Sequence, residues 1–164
     1  FQKDQITLLK AFTKLIKFRE ARLLLIGDGD DKNVLQNFIY KEKIDNNVKM
    51  IPYTKNPFKY ISVSDVKVLS SKFEGNPNIL LEIACLKKLI ISSDCKVGPR
   101  EILQSGKGGI LFKVGNINQL YYLLKNLNIN SKKNKKKIDT SYEYVKKNYK
   151  KDISIPFINL INNI

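Results

Sequence analysis

A chain of 164 residues with 43% apolar residues and eight Phe can bury one sizeable core and is too apolar for wholesale disorder. No apolar run approaches the ~18 residues of a membrane-spanning helix, no signal-peptide pattern is visible at the N-terminus, and the lack of histidine removes the commonest metal ligand and general base. The net charge is +15, concentrated in residues 132–151, where nine lysines face only Asp139 and Glu143. Such a segment favours anionic partners, lipid head groups or nucleic acid. Its plainer explanation is a solvated helix in a chain biased towards Lys, Asn and Ile. Cys85 and Cys95 match no metal or redox spacing. Cys85 reads as a small core residue, and a reducing, cytoplasmic setting is expected.

In chain order, Leu8, Phe12, Leu15 and Ile16 recur at helical spacing between Asp4 and Phe18, with Asp4 as the expected cap. Leu23 to Ile26 is a buried strand closed by the turn Gly27-Asp28-Gly29-Asp30. Lys32 to Lys41 is helical, Val48 to Ile51 a strand, and Pro57 to Ser62 a short helix. Val66 to Leu69 is a strand, Asn78 to Leu86 a helix, and Leu89 to Ile91 a strand. Pro99 to Leu103 opens another helix, Gly106 to Gly109 turns into the strand Ile110–Phe112, and Asn116 caps a helix reaching Leu127. Two tail helices are expected, Lys132 to Tyr149 and Asp152 to Ile161. Short apolar strands alternating with helices predict a Rossmann-like α/β fold, a parallel sheet with helices on both faces. Ligands of such sheets bind at the carboxyl ends of the strands. Residues 1–131 form the expected α/β unit, with the lysine-rich helices of 132–164 packed on it.

The most informative stretch runs from Ser70 to Ala84, where Glu74 and Glu82 stand eight positions apart around Gly75-Asn76-Pro77-Asn78. It reads as a strand end, a tight loop and a helix starting near Asn76 or Pro77, since Asn is a favoured N-cap and proline suits the first helical position. The amides of such a helix start attract phosphate. Glu82 lies among Ile79, Leu80, Leu81, Ile83 and Ala84, where a carboxylate is costly unless something hydrogen-bonds it. Ribose or sugar hydroxyls are suitable donors. Elsewhere the chemistry is negative. Gly27-Asp28-Gly29 has Lys32 where a dinucleotide fingerprint needs its third glycine, and no Walker loop, nucleophile elbow or carboxylate cluster at metal spacing is present.

Taken in order, Gln2-Lys3-Asp4, Leu25-Ile26-Gly27-Asp28-Gly29, Glu74-x7-Glu82, Ser93-Asp94-Cys95, Gly98-Pro99-Arg100-Glu101-Ile102-Leu103 and Gly108-Gly109-Ile110-Leu111-Phe112 resemble the C-terminal, donor-binding half of a GT-B glycosyltransferase of retaining family 4. The resemblance extends to about Leu127. It implies that Glu74 faces the donor sugar and that Lys3 neutralises the diphosphate as the nucleotide leaves. Gly27, Gly75 and the amides of Asn78 and Ile79 would line the nucleotide-sugar site, and Glu82 would hold the ribose hydroxyls. Backbone groups near Tyr53 and Thr54 align with the segment that reads the base. Arg100 and Glu101 fix the loop beside the sugar pocket or merely pack. No cofactor and no metal are implied.

The same resemblance implies an N-terminal acceptor domain and a first strand with a phosphate-binding arginine before Gln2. Neither is in this sequence, so the strands at Leu23–Ile26 and Val66–Leu69 are expected to leave a gap or to close over it. The expected function is UDP-sugar binding within an enzyme that transfers a hexose or N-acetylhexosamine to a glycan or lipid-linked acceptor, the fragment alone being inactive. Lys132–Lys151 would rest on the anionic inner face of the cell membrane. The competing readings are a basic, non-catalytic module for nucleic acid or membrane, though no specific nucleic-acid motif is present, and another GT-B enzyme such as a sugar-nucleotide epimerase.

Overall fold

The computed structural model describes residues 2–95 and 97–149. The expected helix from Asp152 to Ile161 lies outside the described residues. Within them the order is α1 (Gln5–Ile16), β1 (Leu23–Ile26), α2 (Lys32–Lys41), β2 (Val48–Ile51), α3 (Phe58–Ser62), β3 (Val66–Leu69), α4 (Asn78–Cys85), β4 (Leu89–Ser93), α5 (Pro99–Ile102), β5 (Ile110–Phe112), α6 (Ile117–Lys125) and α7 (Lys132–Asn148). A 3-10 turn at Gln104–Gly106 links α5 to β5.

β4 is the key to the layering. All five of its residues are buried, as a parallel strand covered on both faces requires. Alternation sends Ile91 to a cluster with Leu8, Leu9, Phe12, Phe112 and Leu120, and Ile90 to a second cluster with Leu69, Leu80, Leu81, Ile83 and Leu103. α1, α2 and α6 therefore cover one face, and α3, α4, α5 and α7 the other. The helices follow from apolar spacing: α1 buries Leu8, Leu9, Phe12 and Leu15 along one stripe.

The strands form two parallel ladders. β1 pairs with β2, Leu23 opposite Val48, while β3, β4 and β5 pair in that order, Val66 opposite Leu89 and Ile91 opposite Ile110. No ladder joins β1 to β3 among the described residues, so of the two expected outcomes the chain shows the gap. Leu23, Leu25, Val66 and Val68 nonetheless pack against one shared cluster. Side-chain burial, rather than backbone pairing, holds the two ladders together.

Three local expectations are corrected. Asp4 stands at the N-cap of α1 but makes no side-chain cap: it sits at φ 44°, a left-handed conformation that Asp tolerates, and its Oδ2 accepts from the Thr7 hydroxyl at 2.8 Å instead of from a backbone amide. α4 begins at Asn78, one residue later than Pro77 at the first position would allow, and Pro77 itself stands at the N-cap without a side-chain cap. Cys85 is half-buried, and the buried cysteine is Cys95. Asn116 does cap α6, its Oδ1 accepting from Gln119 N at 2.9 Å.

The tail helix α7 is part of this packing. Val145 is buried in the second cluster, and the Lys137 ammonium donates to the carbonyls of Gly106 and Gly109, the latter at 2.9 Å. One lysine of the basic segment thus caps the turn before β5 while Lys132, Lys133, Lys135 and Lys136 are exposed. Lys137→Met should lower stability by about 1–3 kcal/mol, because both carbonyls lose a charged donor; urea denaturation of the two proteins measures it.

Candidate functional site

The site is assembled at the carboxyl end of β3. The chain entering α1 is stitched to the loop that leaves β3 by three hydrogen bonds: Lys72 N to Gln2 O at 2.8 Å, Gln2 Nε2 to Phe73 O at 3.1 Å, and Ser70 Oγ to Lys3 O at 2.8 Å. This backbone arrangement carries Lys3 onto Glu74, where Nζ and Oε1 lie 2.8 Å apart. The Glu74 side chain is only 6% exposed, while that of Lys3 is 50% exposed. The pair therefore contributes modestly to stability. Its chemical consequence is larger: a cation and a carboxylate stand together beside a helix start.

Glu74 is held from behind as well, since Oε1 also accepts from Ser71 Oγ at 2.6 Å. Gly75 and Asn78 are exposed, and Pro77 is buried beneath them. The loop is packed against the turn after β4. A Cβ on Gly98 would lie 2.5 Å from Pro77 Cδ and 2.6 Å from Gly75 O, and its φ is +85°. Only glycine fits there. Arg100 fixes that second turn by donating from Nε to Asp94 Oδ1 at 2.9 Å, with a further bond from its terminal nitrogen to Oδ2. Of the two amides expected to meet a diphosphate, Asn78 N already donates to Asn76 O at 2.9 Å.

Glu82 lies one turn further into α4. Burial holds its carboxyl above the ordinary 4.5, opposed by the charge of Lys67. Lys67 sits in β3 between Val66 and Val68, on the face it shares with Leu69 and α4, and burial pushes its ammonium below 10.5, opposed by Glu82. Among the described residues no hydrogen bond or ion pair closes between them. Lys67 escaped the sequence reading. Its signal was a lone charge inside the apolar strand Val66–Leu69.

Gly27, Tyr53 and Thr54 form a separate group at the ends of β1 and β2. Gly27 N donates to Ile51 O at 2.9 Å. Asp28, which the sequence placed in the Gly27–Asp30 turn and in the motif Leu25–Gly29, accepts from Tyr53 N at 2.7 Å and from Lys32 Nζ at 3.3 Å, and these bonds hold its carboxyl below the usual range. The Tyr53 amide is thus occupied, its side chain is 74% exposed, and Thr54 Oγ1 accepts from Asn56 N at 3.2 Å. No hydrogen bond among the described residues links this group to Glu74 or Glu82. A groove of about 760 Å³ between α1, α2 and the 113–118 loop contains none of these residues. No group of three or more metal-ligating side chains occurs among the described residues.

A parallel α/β layer with this connectivity is the architecture of GT-B glycosyltransferases. The structure of Anabaena HepE in complex with UDP-glucose matches 99% of this chain and 46% of its own with a TM-score of 0.82, at 16% identity, which shows the fold alone. The chain belongs to the family Glycosyl transferases group 1, whose model matches residues 1–144. An uncharacterized glycosyltransferase of Methanocaldococcus jannaschii is 45% identical over 103 residues, 62% of this chain and 25% of that protein. The N-acetylgalactosamine-N,N'-diacetylbacillosaminyl-diphospho-undecaprenol 4-alpha-N-acetylgalactosaminyltransferase of Campylobacter jejuni is 28% identical over 125 residues, 76% of this chain and 34% of that protein. The chain thus spans a quarter to a third of the length of these relatives.

The raised Glu82 carboxyl has a consequence for stability. A carboxyl with a higher pKa folded than unfolded adds stability below the unfolded value, and that stability is lost as pH rises through the folded one. Glu82→Gln should therefore be more stable than the native chain at pH 7, the difference vanishing below the ordinary 4.5. Paired denaturation curves at the two pH values test this.

Proposed function

We propose that this chain is the donor-binding part of a retaining glycosyltransferase of family 4, using a UDP-sugar to extend a glycan or lipid-linked acceptor by a hexose or N-acetylhexosamine. The observation that carries the reading is the Lys3–Glu74 pair, held beside the start of α4 with Glu82 one turn along the same helix. Glu74 would orient the sugar hydroxyls, Lys3 would turn to the diphosphate, and the Ile79 amide, with that of Asn78 once released from Asn76, would bind the same phosphates. Glu82 would accept hydrogen bonds from the ribose hydroxyls, which supplies the partners its half-buried carboxylate lacks. Gly27 and the Tyr53–Thr54 backbone would lie against the nucleoside. The bond between the anomeric carbon and the diphosphate breaks as the acceptor oxygen bonds to the same face, and the acceptor hydroxyl's proton passes to the departing diphosphate oxygen. The protein's share is orientation and stabilisation of the leaving charge, without a metal. The acceptor site would belong to another domain, so this chain by itself would bind donor without turning it over.

Calorimetric titration with UDP, GDP and ADP tests the assignment. UDP should bind preferentially, and Glu82→Ala should weaken it about tenfold to a hundredfold, the loss expected for hydrogen bonds to a charged group. A folded chain that binds no nucleotide would overturn the reading. Salt-sensitive binding to random oligonucleotides, untouched by Glu82→Ala, would favour the basic-module alternative.

The exposed Lys132, Lys133, Lys135 and Lys136 support peripheral contact with an anionic membrane at the cytoplasmic face. Changing these four to Gln, with Lys137 spared for its structural bonds, should abolish sedimentation with phosphatidylglycerol vesicles. Unchanged sedimentation would remove the membrane from the proposal.

A further inference from the structure

We infer that Ser71 is the positioning residue of Glu74, and that Ser93 and Cys95 set it through the Ser71 backbone. The inference rests on the reading of Glu74 as the group that faces the donor sugar. Two donors meet Glu74 Oε1: Lys3 Nζ at 2.8 Å and Ser71 Oγ at 2.6 Å. They differ in how well they are themselves placed. Lys3 hangs on four rotatable bonds with half its side chain in water, so its hold is easily exchanged for a phosphate or for solvent. Ser71 is fully buried, and its hydroxyl follows the backbone through a single torsion.

That backbone is clamped. The Ser71 carbonyl accepts from Ser93 Oγ at 2.6 Å and from Cys95 Sγ at 3.1 Å, so both of its lone pairs are occupied. Ser93 and Cys95 are themselves buried, at the end of β4 and just beyond it. The strand that pairs with β3 thus reaches across the rim and fixes the residue that fixes Glu74. With Oε1 engaged, Oε2 accepts no hydrogen bond among the described residues and is the oxygen left to meet a sugar hydroxyl. The division of labour follows: Lys3 can leave Glu74 to follow the diphosphate while Ser71 keeps the carboxylate aimed.

The test uses the whole chain in two measurements. In the first, side-chain three-bond couplings from NMR of the unliganded protein read the rotamer averaging of Glu74. Ser71→Ala should release Glu74 into several rotamers, Ser93→Ala should do so partly, and Lys3→Met should have the smallest effect. In the second, calorimetry compares UDP with UDP-glucose and UDP-N-acetylglucosamine. Ser71→Ala should reduce the affinity gained from the sugar about tenfold, the smaller end of what a hydrogen bond to a charged group contributes, and leave UDP itself unchanged. A purely structural role would weaken UDP and the UDP-sugars alike. Ser71→Cys, with a weaker donor at the same place, supplies the comparison should the alanine variant fail to fold. A Glu74 that keeps one rotamer in Ser71→Ala, or is released only by Lys3→Met, overturns the inference. If the native chain binds none of these nucleotides, the functional assignment falls, and the coupling measurement still decides the role of Ser71.

Discussion

The meeting of Lys3 and Glu74 at the candidate site depends on the seam between the segment entering α1 and the loop leaving β3. Three hydrogen bonds between Gln2–Lys3 and Ser70–Phe73 close it. They act on the backbone, so they fix where two segments run before any charge is considered. The Lys3–Glu74 contact follows from that placement and does not cause it. A half-exposed ion pair is too weak to draw together segments seventy residues apart, whereas buried side chains on both faces of β4 are strong enough to do so.

A second feature is electrostatic tension left in place. Glu82 and Lys67 are both partly buried, each carries a charge that burial disfavours, and each is only partly relieved by the other. A chain selected for stability alone would have an apolar residue at either position. Under the proposed reading, ribose hydroxyls would supply the partners that Glu82 lacks. The Gly98 turn has the same character: a left-handed glycine is pressed against Pro77 and Gly75, which fixes the loop geometry at the expense of any freedom to vary the residue.

Much of the fold was legible in the sequence because its strands are short apolar runs bounded by turns. β1, β2, β3 and β5 fall where the pattern puts them, and β4 merely runs two residues further. The misses were local competitions. Asp4 looks like a cap, yet a left-handed backbone turns its carboxylate to Thr7. Asn76 and Pro77 both look like helix starts, but a bond from Asn78 N back to Asn76 O delays α4 to Asn78. Cys85 lies among apolar residues in the chain yet half outside the core, because α4 buries Leu80, Leu81, Ile83 and Ala84 instead. The roles of Asp28, Lys67 and Ser71 depend on neighbours that no local pattern reveals.

The sequence by itself determined the alternation of strands and helices, the spacing of Glu74 and Glu82 across a loop and a helix start, and the basic character of α7. These are properties of consecutive residues, set by periodicity, turn chemistry and charge. Only the tertiary structure decided that the sheet divides between β1 and β3, that Lys137 caps a turn while its neighbours face solvent, and that Lys3 and Ser71 meet on one oxygen of Glu74. Each of these concerns segments distant in the chain, whose placement is fixed by how the two buried layers pack around β4.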